Sequence, residues 1–338
     1  MIDVVVVSLF DGLSGGRLAT DRVEHINVLR YYSSEVDKYA IQVADKNYPQ
    51  DAQYRLGDVT KIDFELLLKE IREEFGNVKI MLLGGSPCQG FSMAGKLKGS
   101  STACGIDVVE YEQYLDLKEK EFEFNGQSYL FWEYIRAMKI LHPDYFLLEN
   151  VRVTSKWLPM FNKAMGVEPT RINSSLVSAQ NRDRYYWHNF GEILQPKEKG
   201  VLLRDILEKD TADRDKSYAV TTRIGGATKK RYLEKRMHQM ALVDRICNVN
   251  PSGNGMNGNV YGTDAKSPTV TTNKGEGSKI SSDFGVTYRK LTPLECERLQ
   301  TLPDGYTDGV SNSQRYKMIG NGWTIDVVAH ILSFIEEK

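Results

Sequence analysis

The stretch "VVVVSLFDGLSGG", from Val4 to Gly16, decides the fold. Residues 4–10 are β-branched and apolar, and the run stops on a glycine-rich turn. A short apolar run bounded by glycines reads as a buried strand. The helical pattern expected next spans Arg17 to about Tyr32, so the chain opens as strand, turn, helix. A short strand-like segment is expected near Tyr39–Ala44 and a mixed-charge helix over 64–74. The run "VKIMLL" (78–83) is a second buried strand. "YLFWEYIRAMKIL" (129–141) carries apolar residues at 130, 131, 134, 135, 138 and 141, one face of a helix. "PDYFLLENV" (143–151) is a third buried strand. Strands alternating with helices imply an α/β fold with a largely parallel sheet. Such sheets bind ligands beyond the carboxyl ends of their strands, where the glycine turn, "GGSPCQG" and "ENV" should gather.

The chain has 338 residues, enough for one large domain with a smaller companion. No apolar run is long enough for a membrane helix. The start lacks a basic leader and a small-residue cleavage site, so strand one is expected from residue 2. Cys88, Cys104, Cys247 and Cys296 form no Cys-x-x-Cys pair and have no histidine cluster at zinc spacing, so no metal is expected. Net charge is −1, but it is segregated. Arg214–Arg245 holds nine Lys/Arg against three Asp/Glu, a local +6. Asp107–Glu123 holds seven acidic and two basic residues, a local −5.

After about Asn189 the texture changes. Residues 210–285 are rich in Gly, Ser, Thr, Asn, Lys and Arg. "SYAVTTRIGGA" (217–227) is echoed by "SPTVTTNKGEG" (267–277), which suggests two similar β-hairpin arms. Order returns at "YRKLTPLECERLQ", where Thr292 is a helix N-cap, Pro293 the first helical residue and Glu295 the capping-box partner. The chain then closes on a glycine loop and an apolar-striped helix.

Several residues have the chemistry of a site. The glycine turn is not Gly-x-Gly-x-x-Gly and contains no lysine to hold phosphates, which favours a cofactor without a phosphate chain. Glu35, about 20 residues on, is placed to accept from ribose hydroxyls, and Asp58 from an adenine amino group. Cys88 stands in a glycine-proline loop rather than a core strand, where a thiolate nucleophile would be placed. No histidine is an obvious partner for it; Arg182 and Arg184 are better placed to stabilise the thiolate. Glu149 ends an apolar strand, where desolvation favours its protonated form. Gln180, Arg182 and Arg184 alternate, so on a strand they share one face.

These segments, in this order, resemble the DNA (cytosine-5) methyltransferase family. "FDGLSGG" is similar to its cofactor loop, "PCQGFSMAGKLKG" to its nucleophile loop, "ENV" to its catalytic glutamate motif and "QNRDR" to Gln-x-Arg-x-Arg. "LTPLECERLQTLPDGY" and "IGNGWT" are similar to the two closing motifs. Ser14 and Gly16 stand where members often have Gly and Phe. About 25 extra residues, roughly 103–127, follow the nucleophile loop. Trp323 resembles the last motif of animal de novo enzymes, while the direct start on strand one is similar to bacterial and phage enzymes.

The resemblance implies a Rossmann-like S-adenosylmethionine-dependent sheet over 1–189, completed by 288–338, with a β-rich target-recognition domain over 190–287. It implies a methyl transfer from S-adenosylmethionine, leaving S-adenosylhomocysteine, to C5 of a flipped-out cytosine in duplex DNA. Cys88, Glu149, Arg182 and Arg184 would be catalytic. Phe10, Asp11, Gly12, Gly15, Glu35, Val36, Asp58, Val59, Pro87, Leu130, Asn321, Gly322 and Trp323 would hold the cofactor. Gln89, Ser92, Lys96, Gln180, Arg223, Lys229, Lys230 and Asn273 would meet DNA. The loop 89–100 would cover the flipped base. A monomer in a bacterial or phage-infected cytoplasm is implied, with a cognate restriction endonuclease as a possible companion. A nicotinamide oxidoreductase leaves Pro-Cys-Gln and Gln-x-Arg-x-Arg unexplained, and a non-catalytic relative could dispense with Cys88 and Glu149. An RNA cytosine methyltransferase is the remaining alternative, against which the basic Thr/Gly-rich insert favours DNA.

Overall fold

The computed structural model describes residues 1–87, 91, 100–208, 215–222, 226, 228, 232, 239–243, 245–248, 259–261, 279–280 and 287–336.

The first strand, β1 (Ile2–Leu9), lies where the opening run places it. It pairs in parallel with β2 (Ile26–Ser34) on one side and β3 (Lys79–Gly84) on the other. Next to β3 runs β4 (Tyr145–Val151), also parallel. The sheet continues through two later strands, β5 (Thr170–Asn173) and β7 (Asp183–His188), in the order β2-β1-β3-β4-β7-β5. Strand β7 is antiparallel to both β4 and β5. Between them in sequence, β6 (Gln180–Asn181) leaves the sheet to pair with β8 (Ser217–Tyr218).

Both faces of this sheet are covered, which explains its unbroken apolar runs. Side chains alternate across each strand and sort into two layers. Val4 and Val6, Met81 and Leu83, Tyr145 and Leu147 belong to one cluster. Val5 and Val7, Ile80 and Leu82, Phe146 and Leu148 belong to the other. The first layer includes Ala19 from α1 (Gly15–Thr20), and Ile325, Val328 and Ile331 from a terminal helix, α10 (Ile325–Leu332). The second is closed by α3 (Phe64–Phe75), α5 (Phe131–Leu141) and α6 (Leu158–Met165).

Two expected elements are corrected. The helix from Arg17 ends at Thr20, and its supposed second half is β2. The strand-like segment at 39–44 is instead helix α2 (Lys38–Asn47). Asp37 caps α2 by accepting from the Tyr39 N–H at 3.0 Å, and Ala40, Val43 and Ala44 recur at helical spacing on its buried side. Strand β2 is an edge strand with Leu29 exposed, so its burial pattern lacks clean alternation. The capping box is present: Thr292 accepts from Glu295 N–H at 3.2 Å and Glu295 accepts from Thr292 N–H at 2.8 Å, at the start of α8 (Pro293–Leu299). The closing glycine loop is short, separating α9 (Asn312–Asn321) from α10.

Packing does not change at residue 190. Ile193, Val220 and both Leu203 and Ile206 of the short α7 (Leu203–Ile206) join the same apolar layer as β1 and β4. The second sequence echo, 267–277, lies outside the described residues.

Candidate active site

The glycine turn wraps tightly where β1 ends. Phe10, Gly12 and Ser14 all have left-handed backbone, with φ of 59°, 60° and 62°. Ser14 adopts a conformation that favours glycine, and its hydroxyl is held by Asp11 at 2.9 Å. The same carboxylate accepts from Ser8 at 2.7 Å and from the Tyr31 hydroxyl at 2.6 Å. Burial pushes the Asp11 carboxyl up, and these three hydroxyls oppose that shift. The Asp11 side chain therefore fastens the turn from within. Gly16 makes room for this arrangement: a Cβ there would lie 2.7 Å from the Tyr31 hydroxyl and 3.1 Å from Leu83. Tyr31, on β2, fills the space that a large side chain at position 16 would take.

Glu35 follows β2 directly. Its Oε2 accepts from Gly12 N–H at 2.9 Å, and its Oε1 accepts from Val36 and Asp37 N–H at 2.7 and 2.8 Å. A carboxylate offers about four acceptor positions. Three are filled, and the one left on Oε2 faces the glycine turn. Beside it Val36 is 68% exposed, a large apolar side chain at a rim. Asp58 spends Oδ1 on the Thr60 N–H and hydroxyl, at 3.0 and 2.9 Å, while its other oxygen has no hydrogen-bond partner among the described residues. Val59 is buried, and Leu130 packs half-buried against the second layer near Tyr129. The donor set thus fits a ribose and an adenine amino group, with no cation in the turn for a phosphate chain.

On the other side of the rim, Glu149 is 8% exposed on β4. It is paired with a cation: Arg184 Nε lies 3.0 Å from its Oε1. Gly85 brings a third segment in. A Cβ on it would lie 2.8 Å from Trp323 Nε1 and 3.5 Å from Glu149 Oε2. The backbone two residues before Pro87 therefore threads between the indole and the carboxylate. Asn150, which sequence reasoning passed over although it stands beside Glu149, donates to Ser86 O and Oγ at 3.3 and 3.2 Å and anchors the same loop. Pro87 is half-buried. Further on, Phe91 is buried edge-on to Trp157 and Phe161, and Ser100 accepts from the Trp132 indole N–H at 3.1 Å. Cys88, Gln89, Ser92 and Lys96 lie outside the described residues, as do Arg223, Lys229, Lys230 and Asn273.

Gln180, on β6, and Arg182, between β6 and β7, make hydrogen bonds to protein groups. Gln180 is fully buried; its amide donates to Gln300 Oε1 at 2.8 Å and accepts from Val220 N–H at 3.2 Å. Arg182 donates to Val220 O at 3.1 Å and Gly322 O at 2.9 Å. They fasten the chain near Val220 to the closing glycine loop. The approach is close: a Cβ on Gly320 would lie 2.4 Å from the backbone of Thr221 and Thr222. Gly322 closes α9 by donating to Met318 O at 2.9 Å, and Asn321 is exposed beside it.

The rim therefore gathers two groups, the glycine turn with Glu35 and Asp58 on one side, and Glu149, Arg184 and Trp323 on the other. No helix among the described residues is long and apolar enough to cross a membrane. A family model described as C-5 cytosine-specific DNA methylase matches residues 4–157 and 167–337. The orphan methyltransferase M.SPRI of Bacillus phage SPR is 27% identical, over 96% of this chain and 96% of its own. The type II methyltransferase M.HhaI of Haemophilus parahaemolyticus is 25% identical, over 96% and 92%. Among solved structures, the Entamoeba histolytica methyltransferase EhMeth shares the fold with a TM-score of 0.60 at 16% identity, covering 99% of this chain and 97% of that one.

Proposed function

Because the chain belongs to the C-5 cytosine-specific DNA methylase family, we propose that it methylates C5 of a flipped-out cytosine in a specific duplex DNA sequence. The observation that carries this reading is the Glu149–Arg184 pair at 3.0 Å, set against Gly85 just before the Pro87–Cys88 loop. Cytosine C5 is too weak a nucleophile to be methylated directly. The Cys88 thiolate attacks C6, which makes C5 enamine-like. Arg184 leaves Glu149 for the base O2. That exchange strands a buried carboxylate facing N3, so Glu149 takes up a proton from solvent and donates it to N3, which avoids the unpaired charge. S-adenosylmethionine, when bound, supplies the methyl group that C5 takes. Loss of the C5 proton to water then expels Cys88 as the thiolate, and N3 returns its proton to Glu149. Glu35 would hold the ribose, Asp58 the adenine amino group, and Val36 and Trp323 apolar surface of the cofactor. A base inside a duplex is out of reach, so it must leave the stack at a cost of roughly a few kcal/mol.

Residues that read DNA are assigned to the 190–287 region, with its basic stretch 214–245 and second echo; among its described residues Ile193, Leu203, Ile206 and Val220 pack with the core. The deciding experiment is transfer of labelled methyl from S-adenosylmethionine to duplex DNA and, in parallel, to transfer RNA. Label in DNA cytosine supports the reading. Label confined to RNA would replace it with the RNA alternative, and label in neither would refute it.

A further inference from the structure

The insertion after the nucleophile loop takes no part in the chemistry above, yet it is tied to the site. Its helix, α4 (Tyr111–Glu119), buries Tyr114 and Leu117. The Tyr114 hydroxyl donates to Glu133 Oε1, and Lys118 Nζ donates to the same oxygen at 2.5 Å. Glu133 is fully buried on α5, and its Oε2 accepts from Arg136 Nε at 2.7 Å. Arg136 places its two terminal nitrogens on backbone: Nη1 on Ile62 O and Nη2 on Val59 O, both at 2.9 Å. Those carbonyls belong to the loop that carries Asp58 and Val59. A second link runs beside the first. Tyr129 stacks on Phe124 of the insertion, with ring centroids 4.6 Å apart, and the negative charges of Asp58 and Glu133 both act on it.

The charge balance gives the chain of contacts its direction. A fully buried carboxylate needs most of its acceptor positions filled. Arg136 Nε fills one, and Tyr114 and Lys118 fill the Oε1 side. Without them Glu133 would compete for the terminal nitrogens of Arg136, drawing them from Val59 O and Ile62 O. The 58–62 loop would lose the two hydrogen bonds that fix its height over the sheet.

We propose that the insertion is a brace for the adenine end of the cofactor site, with Tyr114 and Lys118 as positioning residues acting through Glu133 and Arg136. None of the four touches cofactor or base. The inference rests on the reading of Asp58 and Val59 as cofactor contacts. Its test compares the full-length wild type, the double variant Tyr114→Phe/Lys118→Met, and Lys118→Arg. S-adenosylmethionine affinity is measured by calorimetry, and steady-state methyl transfer is measured with DNA. The double variant should bind the cofactor roughly tenfold more weakly, with KM for it raised alike. Its kcat at saturating cofactor and its KM for DNA should stay at wild-type values, and Lys118→Arg should behave as wild type. Unchanged cofactor affinity in the double variant, or a fall in kcat with KM unmoved, would overturn the brace. Should the double variant fail to fold, Lys118→Met alone, at a partly exposed side chain, is read in the same way. A wild type that binds no S-adenosylmethionine would refute the function itself; binding by wild type and double variant alike refutes the brace alone.

Discussion

Two glutamates, one after β2 and one on β4 with β1 and β3 between them, are held in opposite ways. Glu35, after β2, is pinned by three backbone N–H groups. Glu149, on β4, is held by one arginine side chain. Backbone donors move only with the fold, so Glu35 is a fixed acceptor, suited to a group that binds in one pose. A side-chain partner can rotate away, so Glu149 and Arg184 can each exchange the other for a base. The contrast is between a preorganised half of the site and an exchangeable half.

Breaking the exchangeable half should have the largest effect. Glu149→Gln removes the proton that N3 shares, and kcat for methyl transfer should fall roughly 10²- to 10⁴-fold with cofactor affinity retained; single-turnover assays and calorimetry on one preparation check both. Breaking the preorganised half should shift affinity instead. Glu35→Gln sets an amide N–H₂ against backbone donors, so the cofactor Kd should rise roughly tenfold or more while kcat at saturation holds. If Glu35→Gln lowered kcat and left Kd alone, the division between the halves would be wrong.

Arg182 sharpens the contrast, because it lies two residues from Arg184 yet binds backbone carbonyls of Val220 and Gly322. Arg182→Met leaves Val220 O and Gly322 O without that donor, and unfolding by denaturant should show a loss of about 1–3 kcal/mol. The smallest effect concerns pH. His188, on β7 opposite Leu147, is lowered by burial to about 4 from 6.5. The folded state thus binds fewer protons than the unfolded state between these values, and stability falls as pH drops from about 6.5 toward 4. His188→Asn should flatten that slope in thermal melts. This contribution must be separated from any acid-side loss of activity before that loss is assigned to Glu149.

Much of the layout was legible because local rules and tertiary context agree there. Buried parallel strands announce themselves as apolar runs, which located β1, β3 and β4. The capping box at Thr292 and the N-cap logic of the helices are equally local. Strand β2 was missed because an edge strand with Leu29 exposed mimics a helical pattern, and α2 because its apolar residues are few. The inward turn of Asp11 depends on Tyr31, twenty residues away, and on the absence of a side chain at Gly16. Alternation of Gln180, Arg182 and Arg184 says nothing of their partners; only the fold shows Val220 beside Gln180 and Arg182, and Gly322 beside Arg182. Likewise an acidic insertion reads as a solvated face until Glu133 is seen beneath it.

The central claim is a covalent one, that the Cys88 sulfur joins C6 of a cytosine. The direct measurement is mass spectrometry of the protein after incubation with S-adenosylmethionine and duplex DNA carrying 5-fluorocytosine at its target site, where fluorine at C5 cannot leave as a proton. The account predicts a stable DNA–protein adduct mapped to Cys88, absent in Cys88→Ser. Methylation of ordinary DNA by Cys88→Ser at the wild-type rate, or an adduct on another residue, would contradict it.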